Sequence, residues 1–325
     1  MKKVAIGIDI GGTNTVIGVV DQEGSVLAKG NIPTGKHMDV NLYLDDMQAE
    51  INRVLDFINE EIEVMGIGLG APNGNYYSGA IEFAPNLNWK GRVELVNLLK
   101  ERFEYPIITL TNDANAAAIG EMIYGEAKEM KNFIMITLGT GLGSGIVVNG
   151  EMVYGHDGFA GELGHVRVEK NGRECGCGRR GCLETYCSAT GLVNTVYELI
   201  GTSKLPSVLR EKVHQGEVTS KMVFDAATDG DELAKEAFRY TAEKLGTALA
   251  DFMTFSSPEA FILFGGLANA GDLLLKPTYE YMEENMLSCF KGKVKLIQSG
   301  LPGADAAVLG SSSLVWQELN KEVLA

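Results

Sequence analysis

Three cysteines and one histidine lie close together in the sequence, at a spacing that is typical of metal ligands. Cys175, Cys177 and Cys182 form a C-x-C-x4-C pattern, and His165 lies ten residues before the first of them. Three thiolates and one imidazole make a closed tetrahedral set of the kind that holds a structural Zn²⁺ ion. From the residues alone, unliganded thiols are the alternative interpretation.

The other two cysteines, Cys187 and Cys289, do not fit this pattern. Five cysteines, four of them between positions 175 and 187, are too few and too clustered for a disulfide framework. We therefore expect Cys187 and Cys289 to be ordinary buried thiols.

Three glycine-rich turns each follow a predicted apolar strand. They are Asp9-Ile10-Gly11-Gly12-Thr13, Gly139-Thr140-Gly141-Leu142-Gly143 and Gly265-Gly266. Glycine at the end of a strand lets bare backbone N–H groups approach an anion that a Cβ would keep away. The threonines add hydroxyl donors, and Asp9 offers the carboxylate oxygen that Mg²⁺ prefers. Each turn taken alone is more often an ordinary hairpin turn.

Further polar residues stand at a predicted helix start and beside the cysteine pattern. Asn112 and Asp113 precede an alanine-rich helix, where an aspartate commonly serves as the N-cap. Glu162 and Glu184 lie on turns close to the candidate metal ligands, and a glutamate taken alone is usually a solvated surface charge. Their shared position beside the metal-ligand pattern instead indicates a polar pocket.

Charge and composition exclude several classes of protein. Lys and Arg number 28 and Asp and Glu 43, so the net charge of −15 disfavours nucleic acid and anionic membranes as partners. No apolar run approaches the roughly 18 residues of a membrane span, and no signal peptide is recognised, so we expect a cytoplasmic protein. The 40 glycines have no Gly-X-Y period, and therefore serve particular positions in a folded chain.

The hydrophobic pattern predicts an order of strands that occurs twice. A shift of 128 residues superposes Gly11 on Gly139, and two halves that open in the same way favour a duplicated α/β fold. The predicted strands span 4–10, 15–20, 25–29, 64–69, 107–110, 133–138, 143–148, 152–153, 260–264 and 294–298. Helices are predicted at 40–59 and 93–103, through much of 185–256, and at 305–319.

Two common nucleotide-binding motifs do not account for the glycines. The sequence has no G-x-x-x-x-G-K-[ST], which excludes a P-loop protein. Residues 66–71 match G-x-G-x-x-A, but Pro72-Asn73-Gly74 follows where a dinucleotide-binding helix would begin, so we interpret that match as accidental.

These motifs together resemble the ROK family of sugar kinases and regulators, within the superfamily of actin, hexokinase and the heat-shock ATPases. The resemblance implies two ribonuclease H-like domains of the actin-like ATPase type, with an interdomain cleft. It implies a smaller domain of residues 1–117 plus about 303–325, and a larger one of residues 118–302 that carries the zinc-binding loop. The likeness rests on 9–14, Asn112-Asp113-Ala114-Asn115-Ala116-Ala117, 139–143, Gly161-Glu162-Leu163-Gly164-His165, 175–182 and Gly265-Gly266.

The resemblance also implies an ATP-dependent hexose kinase that phosphorylates the primary hydroxyl, with Asp113 as the general base. The implied sugar contacts are Asn86, Asn112, Asp113, Glu162, His165 and Glu184. The implied MgATP contacts are Asp9, Gly11, Gly12, Thr13, Asn14, Gly139, Thr140, Gly141, Gly265 and Gly266. The family's structural zinc matches His165, Cys175, Cys177 and Cys182, and we expect this zinc also to hold His165 and Glu184 against the sugar pocket.

Glucose, giving glucose 6-phosphate, is the expected substrate, with N-acetylglucosamine, N-acetylmannosamine, mannose and fructose as alternatives. Asn14 replaces a lysine that is frequent in the family after Gly-Gly-Thr, and Asn73 replaces a common glycine after Pro72. A sugar-sensing repressor of the same family is the main rival, but the first glycine turn begins too early for a preceding DNA-binding domain. An ATPase with a protein partner is a second rival, which the zinc and sugar residues disfavour. The resemblance further implies a homodimer or homotetramer.

Overall fold

The chain begins with a three-stranded meander, as its opening pattern predicts. We describe it from a computed structural model that covers residues 1–303 and 305–324. Within these residues the strands are β1 (Lys2–Ile10), β2 (Asn14–Asp21), β3 (Val26–Pro33), β4 (Ile62–Ala71), β5 (Gly74–Asn75), β6 (Ala80–Glu82), β7 (Arg92–Val93), β8 (Ile107–Asn112), β9 (Phe133–Leu138), β10 (Leu142–Val148), β11 (Glu151–Met152), β12 (Ala260–Phe264) and β13 (Lys295–Gln298). The helices are α1 (Val40–Asp56), α2 (Leu95–Lys100), α3 (Asp113–Tyr124), α4 (Ala189–Thr202), α5 (Leu209–Gln215), α6 (Ser220–Thr228), α7 (Glu232–Ser256), α8 (Asp272–Asn285) and α9 (Ala306–Leu324).

Two five-stranded sheets of the same topology make up the fold. Their strand orders are β3-β2-β1-β4-β8 and β11-β10-β9-β12-β13. In each sheet the first three strands are antiparallel neighbours, and the next two join in parallel, β4 to β1 and β12 to β9. The predicted duplicated α/β fold is therefore confirmed, and the glycine turns between β1 and β2 and between β9 and β10 occupy equivalent places.

Helix α9 returns from the second half to pack on the sheet of the first. A Cβ at Gly7 would collide with the Val308 carbonyl, and one at Gly68 with the Ser311 carbonyl. Helices α3 and α9 also cross closely, because a Cβ at Gly120 would lie only 2.8 Å from the Gly310 Cα. These glycines let α9 reach both the sheet and α3, the helix that begins at Asp113. The G-x-G-x-x-A match at 66–71 lies inside β4, in agreement with its interpretation as accidental.

Several elements of the structure differ from those that the sequence pattern predicts. The region 72–89 was predicted as a loop, but it contains β5 and β6, which join β7 in a small antiparallel sheet. Helix α8 was not predicted, and Pro277 inside it interrupts the helical pattern that would have indicated it. Cys187 is buried as expected, whereas the prediction for Cys289 was wrong, because that thiol is exposed.

The domain boundaries at residues 117/118 and at about 303 stay a prediction. The first boundary falls inside α3, which is continuous from Asp113 to Tyr124. Ala304 and Ala325, which the smaller domain would include, lie outside the described residues. Among the residues that the structure covers, none of the helices combines the length and the apolar character that crossing a bilayer requires.

Candidate functional site

A cavity of about 760 Å³ opens between the two halves and collects most of the predicted site residues. Its volume lies in the range of pockets that bind small molecules. Of the residues predicted to bind sugar or MgATP, it is lined by Asn86, Asn112, Asp113, Gly139, Thr140, Gly141, Glu162, His165, Glu184 and Gly265, and Cys177 of the predicted metal ligands also lines it. The others, which are not among its lining residues, are Asp9, Gly11, Gly12, Thr13, Asn14 and Gly266. The structure thus brings the predicted sugar contacts together with two of the three glycine turns.

The start of α3 presents Asn112 and Asp113 to this cavity. Asn112 is the N-cap of α3, and its side-chain oxygen accepts a hydrogen bond of 2.8 Å from the Ala114 N–H. One oxygen of Asp113 accepts a hydrogen bond of 2.8 Å from the same N–H. Asn112 therefore takes the capping position that Asp113 alone would have suggested. Because capping uses the side-chain oxygen of Asn112 and one oxygen of Asp113, the side-chain NH₂ group of Asn112 and the second oxygen of Asp113 are available to bind a ligand.

Two carboxyl groups with raised pKa values stand near each other here. The side chain of Asp113 is accessible from the cleft, but protein surrounds it elsewhere, and this burial raises its pKa although the N–H groups of Ala114 and of Asp113 itself lower it. Burial, with a smaller contribution from the negative charge of Asp113, raises the pKa of Asp9 to about 6. A cation bound between them would favour the ionised forms of both.

The first glycine turn closes against the loop that carries Asn86. The Gly11 N–H donates a hydrogen bond of 3.0 Å to the Asn14 carbonyl. A Cβ at Gly12 would lie 2.7 Å from the Asn86 carbonyl oxygen, so glycine permits the close approach. The side chains of Thr13 and Asn14 are exposed. Their predicted contact with phosphate stays a prediction.

The second glycine turn is joined to Glu184 directly. One carboxylate oxygen of Glu184 accepts a hydrogen bond of 2.9 Å from the Leu142 N–H at the end of the turn. A Cβ at Gly141 would collide with the same oxygen. A side chain at this position would therefore displace a carboxylate that was predicted to bind the sugar.

The metal-ligand pattern converges in what we call the cysteine loop (residues 165–182). Ligand atoms of His165, Cys175, Cys177 and Cys182 all lie within 4.8 Å of one another. Tetrahedral bonds of about 2.3 Å to sulfur and about 2.1 Å to nitrogen would separate two sulfurs by about 3.8 Å, and sulfur from nitrogen by about 3.6 Å. The Cys177 and Cys182 sulfurs are 3.8 Å apart, and the Cys175 sulfur is 3.6 Å from His165 Nδ1. The donor set and its spacing fit zinc.

Glu162, together with His165 of the cysteine loop, lines the same wall of the cavity. Burial raises the pKa of Glu162, with His165 opposing the shift and the charges of Asp113 and Glu184 adding to it. Since Nδ1 of His165 faces Cys175, its Nε2 is the ring nitrogen available to a ligand in the cavity. Three carboxyl groups and one imidazole in one cavity suit an uncharged ligand with several hydroxyl groups, because carboxylates accept hydrogen bonds from adjacent hydroxyls.

An apolar pocket of about 400 Å³, which was not predicted from the sequence, adjoins the cavity. Gly139, Thr140 and Gly266 line it, which connects it with the glycine turns. Its other walls come from the end of β9, from helices and from the segment after Gly266, and they are Leu138, Ala189, Ser220, Lys221, Phe224, Phe238, Leu267, Asn269 and Ala270. No motif marks these residues. The three-residue spacing of Lys221 and Phe224, on one face of α6, is the signal that the sequence offered.

The chain is similar to known proteins over almost its whole length. The ROK family model matches residues 5–318. A glucokinase of Halalkalibacterium halodurans is 36% identical over 318 residues, which cover 97% of this chain and 96% of the relative. A crystal structure of a ROK family glucokinase from Streptomyces griseus, in complex with glucose and AMPPNP, has a TM-score of 0.79. It is 32% identical, with 97% of this chain and 99% of that chain covered.

The same fold also occurs in a regulator. A ROK family transcriptional regulator, a homologue of the E. coli MLC protein, has a TM-score of 0.86 and 26% identity. The match covers 98% of this chain and 79% of the regulator. The fold is therefore shared by enzymes and regulators, and the residues of the site have to separate the two.

Proposed function

This chain belongs to the ROK family, and on that premise we propose that it is an ATP-dependent hexose kinase that converts glucose to glucose 6-phosphate. The observation that carries the proposal is the shared cavity, where Asp113, Glu162, Glu184 and His165 face the glycine turn at 139–141. The similarity to glucokinases over nearly the full length of the chain supports glucose as the substrate.

In the proposed mechanism Asp113 accepts the proton of the sugar's primary hydroxyl. A neutral hydroxyl is a weak nucleophile, and a carboxylate within hydrogen-bonding reach takes its proton as the phosphoryl group is transferred. Asn112, Glu162, His165 and Glu184 would bind the remaining hydroxyls and orient the ring. Asn86 would add a contact from the opposite wall.

The glycine turns would bind the triphosphate of MgATP. Gly11, Gly12, Gly139, Gly141, Gly265 and Gly266, with Thr13, Thr140 and Asn14, offer N–H and side-chain donors to phosphate oxygens. The end of β1 suits the metal, because Asp9 is a half-buried carboxylate beside a second one. The apolar pocket that adjoins Gly266 has walls suited to a purine base.

The cysteine loop would hold a structural zinc ion through His165, Cys175, Cys177 and Cys182. Bound zinc supplies a rigid tetrahedral cross-link, and its four protein ligands leave no position for a reactant. Fixing His165 through Nδ1 would orient its Nε2 towards the sugar. The sulfur and nitrogen spacings of the loop support this assignment.

A coupled assay of ADP formation tests the proposal. The protein is given MgATP with glucose, N-acetylglucosamine, N-acetylmannosamine, mannose or fructose, and we expect the highest kcat/KM for glucose. A higher kcat/KM with another of these sugars would move the assignment to that sugar. Hexose binding without ADP formation would favour a sugar-sensing regulator. The absence of both hexose binding and ADP formation would refute the proposal.

Further properties implied by the sequence are part of the same proposal. We propose a cytoplasmic protein, in which the cysteines stay reduced and free to bind zinc. We also propose a homodimer or homotetramer, which light scattering on the purified protein would distinguish. The proposed mobile units are residues 1–117 with about 303–325 and residues 118–302, which would close on the substrates and exclude water.

A further inference from the structure

One arginine of the cysteine loop is buried behind the site and uses its whole guanidinium group. The side chain of Arg173 is only 11% exposed. Its Nε and one Nη2 hydrogen donate to the two carboxylate oxygens of Glu198, at 2.8 and 2.7 Å. The other three N–H groups reach the Thr185 carbonyl at 2.7 Å, the Gly191 carbonyl at 3.1 Å and the Thr195 hydroxyl at 3.0 Å. All five donors of the guanidinium are thus satisfied.

The same guanidinium group packs against two aromatic rings. It stacks over the Tyr186 ring at 4.5 Å and lies 6.0 Å from the Tyr240 ring. The Tyr186 hydroxyl in turn accepts a hydrogen bond of 2.9 Å from the Arg173 backbone N–H. Lys244 contacts both rings and pairs with Glu169, another residue of the cysteine loop, at 2.7 Å. The loop is therefore fixed to α4 and α7 by contacts that do not involve a metal.

The hydrogen-bond partners of Arg173 lie next to two parts of the site, Glu184 and the second glycine turn. Thr185, whose carbonyl it binds, directly follows Glu184. Gly191 lies in the first turn of α4, where the Ala189 N–H donates to the Gly139 carbonyl at 2.9 Å. In the same turn the Thr190 hydroxyl donates to the Thr140 carbonyl at 3.0 Å. One guanidinium thus connects the cysteine loop, the turn of Glu184 and the helix start that touches the second glycine turn.

We propose that Arg173 is a positioning residue for sugar binding, which sets Glu184 and the cysteine loop in one fixed arrangement. This inference rests on the proposed function, because it takes Glu184 to be a sugar contact. Arg173 itself would touch neither sugar nor phosphate. Its planar fork matters more than its charge, since a lysine ammonium has three donors and could not make the five contacts or the same stacking.

The test compares Arg173→Lys with Arg180→Lys in the zinc-loaded protein. Arg180 lies in the same loop, but its side chain is 55% exposed and it pairs with Glu174, which is 81% exposed. For Arg173→Lys we expect the glucose Kd from calorimetry and the glucose KM to rise about tenfold, with kcat at saturating glucose within twofold of wild type. We also expect faster loss of zinc to a colorimetric chelator. Arg180→Lys should match wild type in every measurement.

A purely structural role predicts a different result. In that case Arg173→Lys would unfold at a lower temperature, while the folded fraction would bind glucose and retain zinc like the wild type, and this outcome would overturn the inference. If Arg173→Lys does not fold, Glu198→Gln replaces it in the test. This variant removes the negative charge that pairs with Arg173 at the surface of α4, and it should also raise the glucose Kd. An unchanged glucose Kd would count against the proposed role of Arg173. If wild-type protein binds no hexose, the proposed function fails, and the zinc-release comparison alone then decides whether Arg173 orders the loop.

Discussion

Replacing Asp113 with asparagine is the most direct test of the proposed chemistry. The substitution keeps the shape of the side chain and its oxygen, so the hydrogen bond from the Ala114 N–H can persist. The helix start is also retained, because Asn112 rather than Asp113 is the N-cap of α3. What the variant loses is the ability to accept a proton from the sugar hydroxyl.

The expected loss in kcat is about 10²–10⁴-fold, the range found for a general base. This corresponds to about 2.7–5.4 kcal/mol of transition-state stabilisation. Glucose binding should change by less than about tenfold, since the other polar groups of the cavity are untouched. The substitution therefore separates kcat from sugar affinity.

The stability of Asp113→Asn should not fall with its activity. Because burial raises the pKa of Asp113 in the folded protein, the folded state binds its proton more readily than the unfolded chain does. Stability contributed by this group therefore falls as pH rises from the ordinary pKa of an aspartate to the raised one. At neutral pH the uncharged amide should leave the melting temperature equal to or above that of the wild type, so unfolding would not explain a loss of activity.

The assay measures ADP formation with glucose and MgATP, glucose binding by calorimetry, and melting by differential scanning fluorimetry. Asp39→Asn is the matched control, because Asp39 caps α1 and asparagine caps a helix equally well. This control should keep wild-type kcat. Near-normal turnover of Asp113→Asn, with intact folding, would refute the assignment of the base.

Three further predictions follow from the cysteine loop, the second glycine turn and the end of β1. Cys177→Ser, or removal of zinc by a chelator, should lower the melting temperature by about 5 °C or more and weaken glucose binding together, whereas unchanged values would argue against a structural metal. Gly141→Ala should reduce kcat/KM at least about tenfold, because its Cβ collides with Glu184, while Gly201→Ala, with open space around it, should have no effect. The kcat/KM for MgATP should fall as pH drops below about 6, where Asp9 becomes protonated, and a flat acid profile would contradict this.

The sequence predicted the fold well wherever the signal was local. Alternating apolar residues ended by glycine gave the opening strands of both halves, and β9 and β12 were predicted at their observed bounds. Helix α8 was missed because Pro277 interrupts the pattern that identifies helices. The small sheet of β5, β6 and β7 was missed because its strands are only two or three residues long, too short for a period to be recognised.

Some residues of the site could likewise be predicted from local sequence, and others could not. The zinc ligands were predictable because three cysteines lie within eight residues, and the loop has only to fold on itself to bring them together. The wall of the apolar pocket was not predictable, because Lys221, Phe224 and Asn269 meet there from separate elements and match no motif. The role of Arg173 was hidden for the same reason, since its partners lie on α4 and in the turn after Glu184.

The sequence by itself determined which residue types could do the chemistry: a carboxylate after a strand, glycines at strand ends, and thiolates at ligand spacing. Only the tertiary structure decided which of them share a cavity and what each one contacts. It gave the capping position to Asn112 and placed Glu184 against Gly141. It also showed that Gly7 and Gly68 make room for α9 rather than for a ligand. The physical reason is that spacing along a chain fixes neighbours within a turn or strand, whereas contacts between distant residues depend on how whole elements pack.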